Sequence, residues 1–293
     1  MLRVTEGMIF QQVTSSIARA QKRAYDSQVV AQTGRRVNRL SDDPVAASRA
    51  NVLNSTLERL DGMGRVSALA EEELTVAESA LGQASMIYNR AREIAIAGAN
   101  ASMGAESRAA LAEEVAGLRS QMLSIANTRV ADVYVFGGYK TTEEPFDDAG
   151  NYVGDSGVRM GEVAPGTSVK MNVAGDDAFV SATGVDVFDE LQTLYDNLLN
   201  NDQEAVGEGL SELETGFSQL TNARGRTGVY LNQLQSGDEL RFELESSALV
   251  HRTEAVEADV NESFNALAQT QFNLQAAIAQ AQKILNGLNN GIR

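Results

Sequence analysis

The sequence predicts a mainly α-helical protein: an elongated, discontinuous helical bundle with terminal coiled-coil arms and a small β-rich insertion. Three observations favour this class. Apolar residues recur at alternating steps of three and four near both termini, which is the heptad pattern of paired helices. Aromatic residues form only 5% of the chain and Trp is absent, which favours helices packed through small and aliphatic side chains. Two of the three prolines fall within residues 138–185, where apolar residues alternate every second position.

The C-terminal segment carries a heptad that is interrupted once, at Gln271. Its members are Val256, Val260, Phe264, Leu267, Leu274, Ile278, Ala281, Leu285 and Leu288. A helix with such an apolar stripe needs a partner that covers it. We therefore predict a C-terminal coiled-coil arm over residues 255–293.

A second heptad occupies residues 9–31 and defines a predicted N-terminal arm over residues 1–42. Its members are Ile9, Val13, Ile17, Ala20, Ala24, Ser27 and Ala31. The small side chains in this stripe let another helix approach closely. Because the two heptads lie at opposite ends of the chain, we expect the two arms to pair, although any amphipathic helix of a bundle shows the same pattern.

Residues 34–47, GRRVNRLSDDPVAA, predict the end of one helix, a linker and the start of another. Gly34 ends the first helix, and Asp42 or Asp43 caps the next one, with Pro44 at its first position. Adjacent carboxylates are also compatible with metal binding or general acid–base chemistry. Successive residues at a cap point apart, however, and no His or third acid lies nearby in the sequence, so capping is favoured.

Residues 43–137 are predicted to form the first part of a helical core domain. A heptad runs through residues 53–95, polar and Gly residues at 98–104 predict a turn, and the same spacing at 111–125 predicts a returning helix. The pattern then changes to the alternation of a strand at 133–138.

Residues 138–185 form the predicted β-rich insertion, with alternating runs at 158–160 and 169–173. Acidic and amide side chains in the insertion suggest a calcium site, but they do not reproduce the twelve-residue ligand loop that ends in Glu. We predict that they form turns instead. These residues are Asp147, Asp148, Asn151, Asp155, Asp176 and Asp177.

The helical pattern resumes at Val187 and, after a turn at 200–202, continues into the C-terminal seam. Residues 186–254 are therefore predicted to be the second part of the helical core domain. Three glycines interrupt this pattern, at positions 225, 228 and 237. Each is about 1 kcal/mol less favourable than Ala inside a helix. They indicate either a bend or close packing, and the sequence leaves both open.

No motif in the sequence predicts catalysis. The chain has no Cys, no phosphate-binding glycine loop and no nucleophile elbow. Its one His, His251, has no identifiable partner for a metal cluster or a catalytic triad, and we predict a surface or packed histidine. We therefore predict a protein that is not an enzyme and that takes no cofactor and no metal.

Charge and hydropathy exclude further classes. The formal charge of -16 opposes binding to nucleic acid, which draws its affinity from clustered Lys and Arg. The short basic clusters, Arg35–Arg36 and Arg224–Arg226, are predicted to be solvated or paired with acids. No run of about 18 apolar residues predicts a membrane span. The apolar run at residues 8–10 is too short for a signal peptide, so ordinary secretion is not expected.

The order of the motifs resembles that of the bacterial flagellin-like family. Between the two amphipathic ends stand GRRVNRLSDDPVAA, ANTR leading to YVFGGY, YVGDSGVRM, VAPGTSVKMNVAG and VDVFDEL. The most specific parts are Arg39–Pro44 and Asn127–Tyr139. The residues that carry the family motif are Asn38, Arg39, Asp42, Asp43, Pro44, Asn127, Thr128, Arg129, Phe136 and Gly138.

This resemblance implies an inner coiled coil made of both termini, an outer helical domain and an outermost β-rich domain. Within the family the chain is most similar to the subunits that join hook and filament. The resemblance implies export in the unfolded state through the flagellar secretion channel, and an extracellular ring of subunits between a first hook–filament junction protein and flagellin. A cytoplasmic export chaperone is expected at the C-terminal helix. A flagellin filament subunit and a cytoplasmic coiled-coil scaffold are the alternatives.

The resemblance also assigns the terminal heptads to contacts with neighbouring subunits and the chaperone. The residues expected in these contacts are Ile9, Val13, Ile17, Val260, Phe264, Leu267, Leu274, Ile278, Leu285 and Leu288.

Overall fold

The computed structural model describes residues 2–181 and 183–290, with side chains at 7–181, 183–284 and 286. Within these residues the chain forms eight helices and four short strands. The helices are α1 (Leu2–Thr33), α2 (Pro44–Gly98), α3 (Ala105–Ala126), α4 (Gly175–Ala178), α5 (Val187–Leu199), α6 (Gln203–Glu208), α7 (Leu210–Val256) and α8 (Val260–Asn290). The strands are β1 (Arg129–Val130), β2 (Val133–Tyr134), β3 (Met160–Ala164) and β4 (Thr167–Lys170). None of the described helices is long and apolar enough to cross a membrane.

The chain divides into two compact units. The terminal unit comprises Met1–Glu58 and Glu245–Arg293, and the central unit comprises Arg59–Leu244. Both divisions fall within helices, α2 and α7, rather than at turns. The five-segment division drawn from the sequence stays a prediction.

A stripe of small side chains along α2 forms the centre of the central unit. Its buried members are Ala70, Leu74, Ala77, Leu81, Ala84, Tyr88, Ala91 and Ala95. These are the heptad positions expected from the sequence, and α3 follows as the expected returning helix. Alanines let the neighbouring helices approach closely, and every buried methylene group still contributes about 0.8 kcal/mol.

Helix α7 is continuous, so its glycines mark no break. A Cβ atom at Gly237 would lie 2.5 Å from Val163 Cγ2, which identifies close packing against β3. At Gly225 and Gly228 no described atom lies within 4 Å of such a Cβ. A Cβ at Gly216 would lie 2.5 Å from the hydroxyl oxygen of Tyr88, so this glycine, which the sequence analysis did not single out, allows α7 to contact α2.

Aromatic side chains join the β-rich insertion to α5. The rings of Phe136 and Phe179 meet edge to face with centroids 5.2 Å apart, and the rings of Phe146 and Phe188 lie 5.1 Å apart. All four side chains are almost completely buried. Such aromatic pairs add about 0.5–1.5 kcal/mol each to the effect of burial alone.

The strand predicted over residues 133–138 is wrong beyond its first two residues. Only Val133–Tyr134 pairs, with β1. The following chain turns, because Gly138 has a φ of +70°. The carbonyl of Phe136 then accepts its hydrogen bond from the N–H of Gly175, at 2.9 Å, and not from a strand.

The insertion contains one antiparallel hairpin, β3 and β4, which turns at Gly166 with a φ of +75°. Its strands overlap only in part with the runs predicted at 158–160 and 169–173. The side chain of Asn172 accounts for the early end of β4. Its Oδ1 accepts a hydrogen bond from the N–H of Arg159 at 2.7 Å, in place of a backbone carbonyl.

The C-terminal seam is not continuous with α7, contrary to the prediction. Helix α7 ends at Val256, and α8 begins at Val260 after a cap by Asp259. The Asp259 carboxylate accepts hydrogen bonds of 2.7 and 3.1 Å from N–H groups of the first turn of α8. Val256 is therefore not a member of the seam. It packs in a separate apolar cluster with Val37, Ala46 and Ala50.

We predict opposite effects for two glycine substitutions in α7. Gly216→Ala places a methyl group against the Tyr88 ring and lowers the free energy of unfolding by about 1–3 kcal/mol. Gly225→Ala is the matched control, because its methyl group would have no described atom within 4 Å. This substitution raises the free energy of unfolding by up to about 1 kcal/mol, because Ala has a higher helix propensity than Gly. Chemical denaturation followed by circular dichroism measures both. Equal effects of the two substitutions would contradict the packing described here.

Candidate functional site at the terminal helices

Helices α1 and α8 of the terminal unit pack against each other in antiparallel orientation. The carbonyl of Gly34, just after α1, accepts a hydrogen bond of 2.9 Å from the N–H of Ala258, just before α8. Further along the pair, residues 9–23 and 273–284 line a common groove. The prediction that the two ends of the chain pair with each other is therefore confirmed.

The side of α1 that faces α8 agrees with the predicted heptad. Ala20 and Ala24 are buried, and Val13 and Ile17 are half-buried. Ile9, nearer the start of the helix, is 38% exposed. The two alanines form the closest part of the contact, as small seam residues do in paired helices.

The side of α8 that faces α1 differs from the predicted seam. Its buried and half-buried members are Ser263, Leu267, Thr270, Leu274, Ala277, Ala281 and Ile284. Only Leu267, Leu274 and Ala281 belong to both sets. At every second seam position, the residue that faces α1 lies one residue earlier in the sequence than predicted. The observed stripe is therefore rotated by about 50° around the helix axis relative to the predicted one.

This rotation leaves three predicted seam residues at the surface or at the edge of the helix contact. Val260 is 59%, Phe264 56% and Ile278 38% exposed. The expectation that these three cover α1 is wrong, because the alanines, Ser263 and Thr270 fit a close helix contact better than bulky side chains do. The side chains of Leu285 and Leu288 lie outside the described residues.

The pair also exposes large apolar side chains at positions that the heptad did not include. Phe272 on α8 is 69% exposed, and Met8 and Phe10 on α1 are 64% and 57% exposed. Large exposed apolar side chains are typical of surfaces that associate with other proteins. Counting bulky apolar residues outside the heptad would have identified these positions in the sequence.

The linker between α1 and α2 holds the first family motif and is fixed by its two aspartates. Asp42 Oδ2 accepts hydrogen bonds from the N–H groups of Asn38, at 3.1 Å, and Arg39, at 2.8 Å. Asp43 Oδ1 accepts a hydrogen bond of 3.0 Å from the N–H of Ala46 and so caps α2, which begins at Pro44. Both aspartates therefore have structural roles, and the prediction of capping is confirmed.

Arg36 ties this linker to the end of α7. Its guanidinium group donates to Asp43 Oδ2 at 3.0 Å and to the carbonyl of Ala255 at 2.9 Å, and its N–H donates to the carbonyl of Val256 at 2.8 Å. The hydrogen bond from the Ala46 N–H, followed by that from Arg36, lowers the pKa of the Asp43 carboxyl group. The ionised aspartate is therefore the form that the fold stabilises.

The second family motif lies in the central unit and is also structural. Asn127 holds Phe146 by two hydrogen bonds, from its Nδ2 to the carbonyl at 2.9 Å and from the Phe146 N–H to its Oδ1 at 3.0 Å. Phe136 belongs to the aromatic cluster. A Cβ at Gly138 would collide with the backbone carbonyl of Asp155, so only glycine fits there.

The remaining two motif residues stand where β1 begins. The carbonyl of Thr128 accepts a hydrogen bond of 3.0 Å from the N–H of Val135. Arg129 lies opposite Tyr134 in the β1–β2 register and is exposed. The motif residues of the central unit therefore shape one turn and its surroundings, and they do not converge on a shared cleft.

Two acidic residues of the insertion, Asp147 and Asp155, accept hydrogen bonds within turns, as predicted. The prediction of turns is wrong for Asp176 and Asp177, which lie in the short helix α4. Asp147 accepts hydrogen bonds from the backbone and side chain of Asn151, at 2.8 and 2.9 Å, and these bonds lower its pKa. Asp155 accepts from the N–H of Tyr139 at 2.8 Å, which lowers its pKa in the same way. Across the described part of the chain, no group of three or more His, Asp or Glu residues is arranged to hold a metal ion.

The other charged or polar candidates contact acids within the chain. His251 is exposed and lies 3.2 Å from Glu254. Arg226 pairs with Asp177 at 2.8 Å. Arg224 pairs with Glu78 at 2.7 Å, so the basic cluster of α7 is paired with acids as predicted.

The chain is similar in sequence to known flagellar proteins. A model of the bacterial flagellin N-terminal helical region matches residues 4–141. Flagellar hook-associated protein 3 of Escherichia coli K12 is 28% identical over 302 residues, which cover 94% of this chain and 95% of that protein. The protein of the same name from Salmonella typhimurium is 25% identical over 300 residues, with the same coverage.

Solved structures show the same fold. A putative flagellar hook-associated protein from Vibrio parahaemolyticus aligns with a TM-score of 0.68 at 22% identity, over 74% of this chain and 100% of that one. The flagellar junction protein FlgL from Legionella pneumophila aligns with a TM-score of 0.59 at 17% identity, over 71% of this chain and 100% of that one.

The chain is similar to bacterial flagellins and, over more of its length, to flagellar hook-associated proteins. Its similarity to B-type flagellin of Pseudomonas aeruginosa, 32% over 124 residues, covers 42% of this chain and 24% of that protein. Its similarity to flagellin of Listeria monocytogenes, 24% over 221 residues, covers 70% of this chain and 76% of that protein. Its similarity to flagellar hook-associated protein 3 runs along almost the entire length of both chains.

We predict that two substitutions on α8 separate helix pairing from association. Leu274 faces α1, and Leu274→Asp costs the pair about 2 kcal/mol or more because it puts a charge into the contact. Phe264 is 56% exposed and faces outward, and Phe264→Asp leaves the pair intact but blocks association with other molecules. Circular dichroism measures helix content, and incorporation into flagella measures association. Loss of helix content in both variants would contradict the orientation of α8.

We predict that Asp43→Ala lowers the melting temperature at pH 7, because α2 loses its cap and Arg36 its partner. The folded-state pKa of Asp43 lies below its unfolded value, so its contribution is present above the usual aspartate pKa, near 3.9, and is lost as the pH falls through the folded-state value. The difference in melting temperature between Asp43→Ala and the wild type should therefore become smaller as the pH falls. Asp26→Ala, an exposed position on α1, is the control, and an equal effect of the two at pH 7 would contradict the role of Asp43.

Proposed function

We propose that this chain is a structural subunit of the bacterial flagellum that joins the hook to the filament. The observation that carries the proposal is the extent of similarity: 94% of the chain aligns with flagellar hook-associated protein 3, against 70% with the Listeria flagellin and 42% with the Pseudomonas flagellin. The exposed apolar residues of the α1–α8 pair support it, because a subunit that functions in an assembly keeps such residues for its neighbours.

The finer features of this role are part of the same proposal. Copies of the chain form a ring whose contacts are made by the terminal helices, between a first junction protein on the hook side and flagellin on the filament side. The chain reaches that position by export in the unfolded state through the flagellar channel. A cytoplasmic chaperone covers the C-terminal helix beforehand, and the outward residues Val260, Phe264 and Ile278 are the side chains that it would cover.

The proposed role needs no catalysis. The acids and basic residues that suggested chemistry in the sequence serve as caps, turn residues and ion pairs. The two alternatives are a filament subunit and a cytoplasmic scaffold. They differ from the junction role in where the protein is found and in how many copies are present.

Deletion of the coding sequence tests the proposal. We expect hooks to remain, filaments to be missing and flagellin to appear in the culture medium, because nothing connects the two structures. Electron microscopy shows the first two outcomes, and immunoblotting of the medium shows the third. Expression of the wild-type chain should restore filaments, whereas the Phe264→Asp variant should not.

The position of the protein separates the alternatives. Immunogold labelling should place it at the base of each filament, next to the hook. Labelling along the whole filament would favour a flagellin, and a cytoplasmic signal alone would favour a scaffold. Normal filaments on the deletion strain would reject the junction role.

A further inference from the structure

An open cleft of about 420 Å³ lies between the β-rich insertion and α7, within the central unit. We name it the insertion cleft, and the residues that define it are Lys170, Val173, Asp177, Thr183, Ala223 and Arg226. Its volume falls within the range of sites that hold small molecules, about 300–1,000 Å³. Among the described residues that line it there is no family-motif residue, so neither family motif accounts for it.

The floor of the insertion cleft is apolar. Val173, Ala174 and Ala223 line it and are 5%, 8% and 0% exposed. The half-buried side chain of Val180 lines it as well. Because apolar surface is more stable when it is covered, such a floor favours a ligand with C–H groups on one face.

Two cations line the insertion cleft, and one of them has no acidic partner. Arg226 pairs with Asp177 at 2.8 Å. The ammonium group of Lys170 lies 5.5 Å from the centre of the Tyr230 ring, and in the described part of the chain no carboxylate pairs with it. Tyr230 follows Arg226 by about one turn of α7, so both cations lie beside the same stretch of the helix. The charge of the exposed Lys170 is therefore available to an anionic group of a ligand.

Other polar groups of the cleft can donate and accept further hydrogen bonds. The hydroxyl oxygens of Ser181 and Thr183 lie 3.3 Å apart, and neither has another partner among the described residues. The side chain of Asp177 accepts a hydrogen bond only from Arg226 within the described chain, although a carboxylate can accept about four. Hydroxyl groups of a ligand therefore find both donors and acceptors in this cleft.

The balance of charge limits what the cleft can bind. Two bases, Lys170 and Arg226, and two acids, Asp176 and Asp177, line it, so their formal charges cancel. A ligand with several negative charges, such as a nucleotide, would be repelled by the two aspartates. A ligand with a single carboxylate needs only one cation, and Lys170 provides it.

We infer that the insertion cleft binds a saccharide that carries one carboxylate, as a uronic acid does. The carboxylate pairs with Lys170, and the C–H face of the sugar ring covers the apolar floor. The sugar hydroxyl groups bond to Asp177, Ser181 and Thr183. This inference goes beyond the proposed function and does not depend on it, because the cleft lies within one chain and needs no neighbouring subunit.

Ligand-observed NMR with the full chain and three probes tests the inference. Methyl glucuronide carries the carboxylate, and methyl glucoside is the same sugar without it. Cyclohexanecarboxylate has a carboxylate and an apolar ring but no hydroxyl groups. For a ligand of this size in an open cleft we expect methyl glucuronide to bind with a dissociation constant of about 1–10 mM. The other two probes should each bind at least about threefold more weakly, because each lacks one set of contacts.

Substitutions in the cleft assign the contacts. Lys170→Gln should weaken binding of the two carboxylate probes about threefold to fivefold and leave methyl glucoside unchanged. S181A/T183A should weaken binding of the two sugars about threefold and leave cyclohexanecarboxylate unchanged. Lys22→Gln, an exposed position on α1, is the control and should change none of the three affinities. All these side chains are exposed or half-buried, so each variant should melt at the temperature of the wild type.

Three results would overturn the inference. The first is that methyl glucuronide does not bind at about 50 mM, well above the expected dissociation constant. The second is that it binds no better than methyl glucoside, or equally well to a folded Lys170→Gln chain, since the carboxylate then has no role. The third is that cyclohexanecarboxylate binds as tightly as the glucuronide, which would reject a saccharide. None of these results bears on the junction role, which deletion and labelling test separately.

Discussion

Close packing through small side chains is the constraint on which the terminal unit depends. Ala20 and Ala24 of α1 and Ala281 of α8 are buried where the two helices meet, and Ser263 lies at the same side of α8. A contact made of alanine and serine brings the helices together but buries little apolar surface. The bulky residues Phe264 and Phe272 cannot enter such a contact, so they remain outside. The same choice of residues thus makes the pair compact and keeps its surface ready for association.

The central unit uses alanine in the same way but completes its core. Its α2 stripe is supplemented by five almost fully buried aromatic rings, those of Tyr88, Phe136, Phe146, Phe179 and Phe188. Aromatic side chains bury far more surface than alanine does, so this unit has a core that supports its own fold. The family motif at Asn127 and Gly138 holds the turn that positions two of those rings. In this unit, therefore, the motif residues maintain the fold.

The sequence alone predicted those elements whose apolar pattern repeats over many residues and whose positions each have a single environment. Helices α1, α2, α3 and α5 and the caps at Asp43 and in the linker follow from heptads and turn chemistry. The sequence did not predict features that depend on contacts between residues far apart in the chain. The predicted seam of α8 was wrong at Val260, Phe264 and Ile278. The prediction followed the most hydrophobic residues, whereas the contact with α1 includes the smaller residues Ser263 and Ala277. The role of Arg108, buried with the carbonyls of Gly98 and Asn100 as acceptors, has no signal in any local pattern.

The distribution of charge suggests how the two units share the work of assembly. The terminal unit has 11 basic and 10 acidic residues, a formal charge of +1, whereas the central unit has 13 basic and 30 acidic residues, a formal charge of -17. The net charge of -16 therefore comes entirely from the unit with the completed core. Like charges on neighbouring copies repel and keep a protein soluble, so central units resist unspecific association. The terminal unit has a formal charge of only +1, so this repulsion does not act between terminal units. Its exposed apolar residues can therefore contact a neighbouring molecule of complementary charge and shape. Association is in this way restricted to the helices whose geometry defines it.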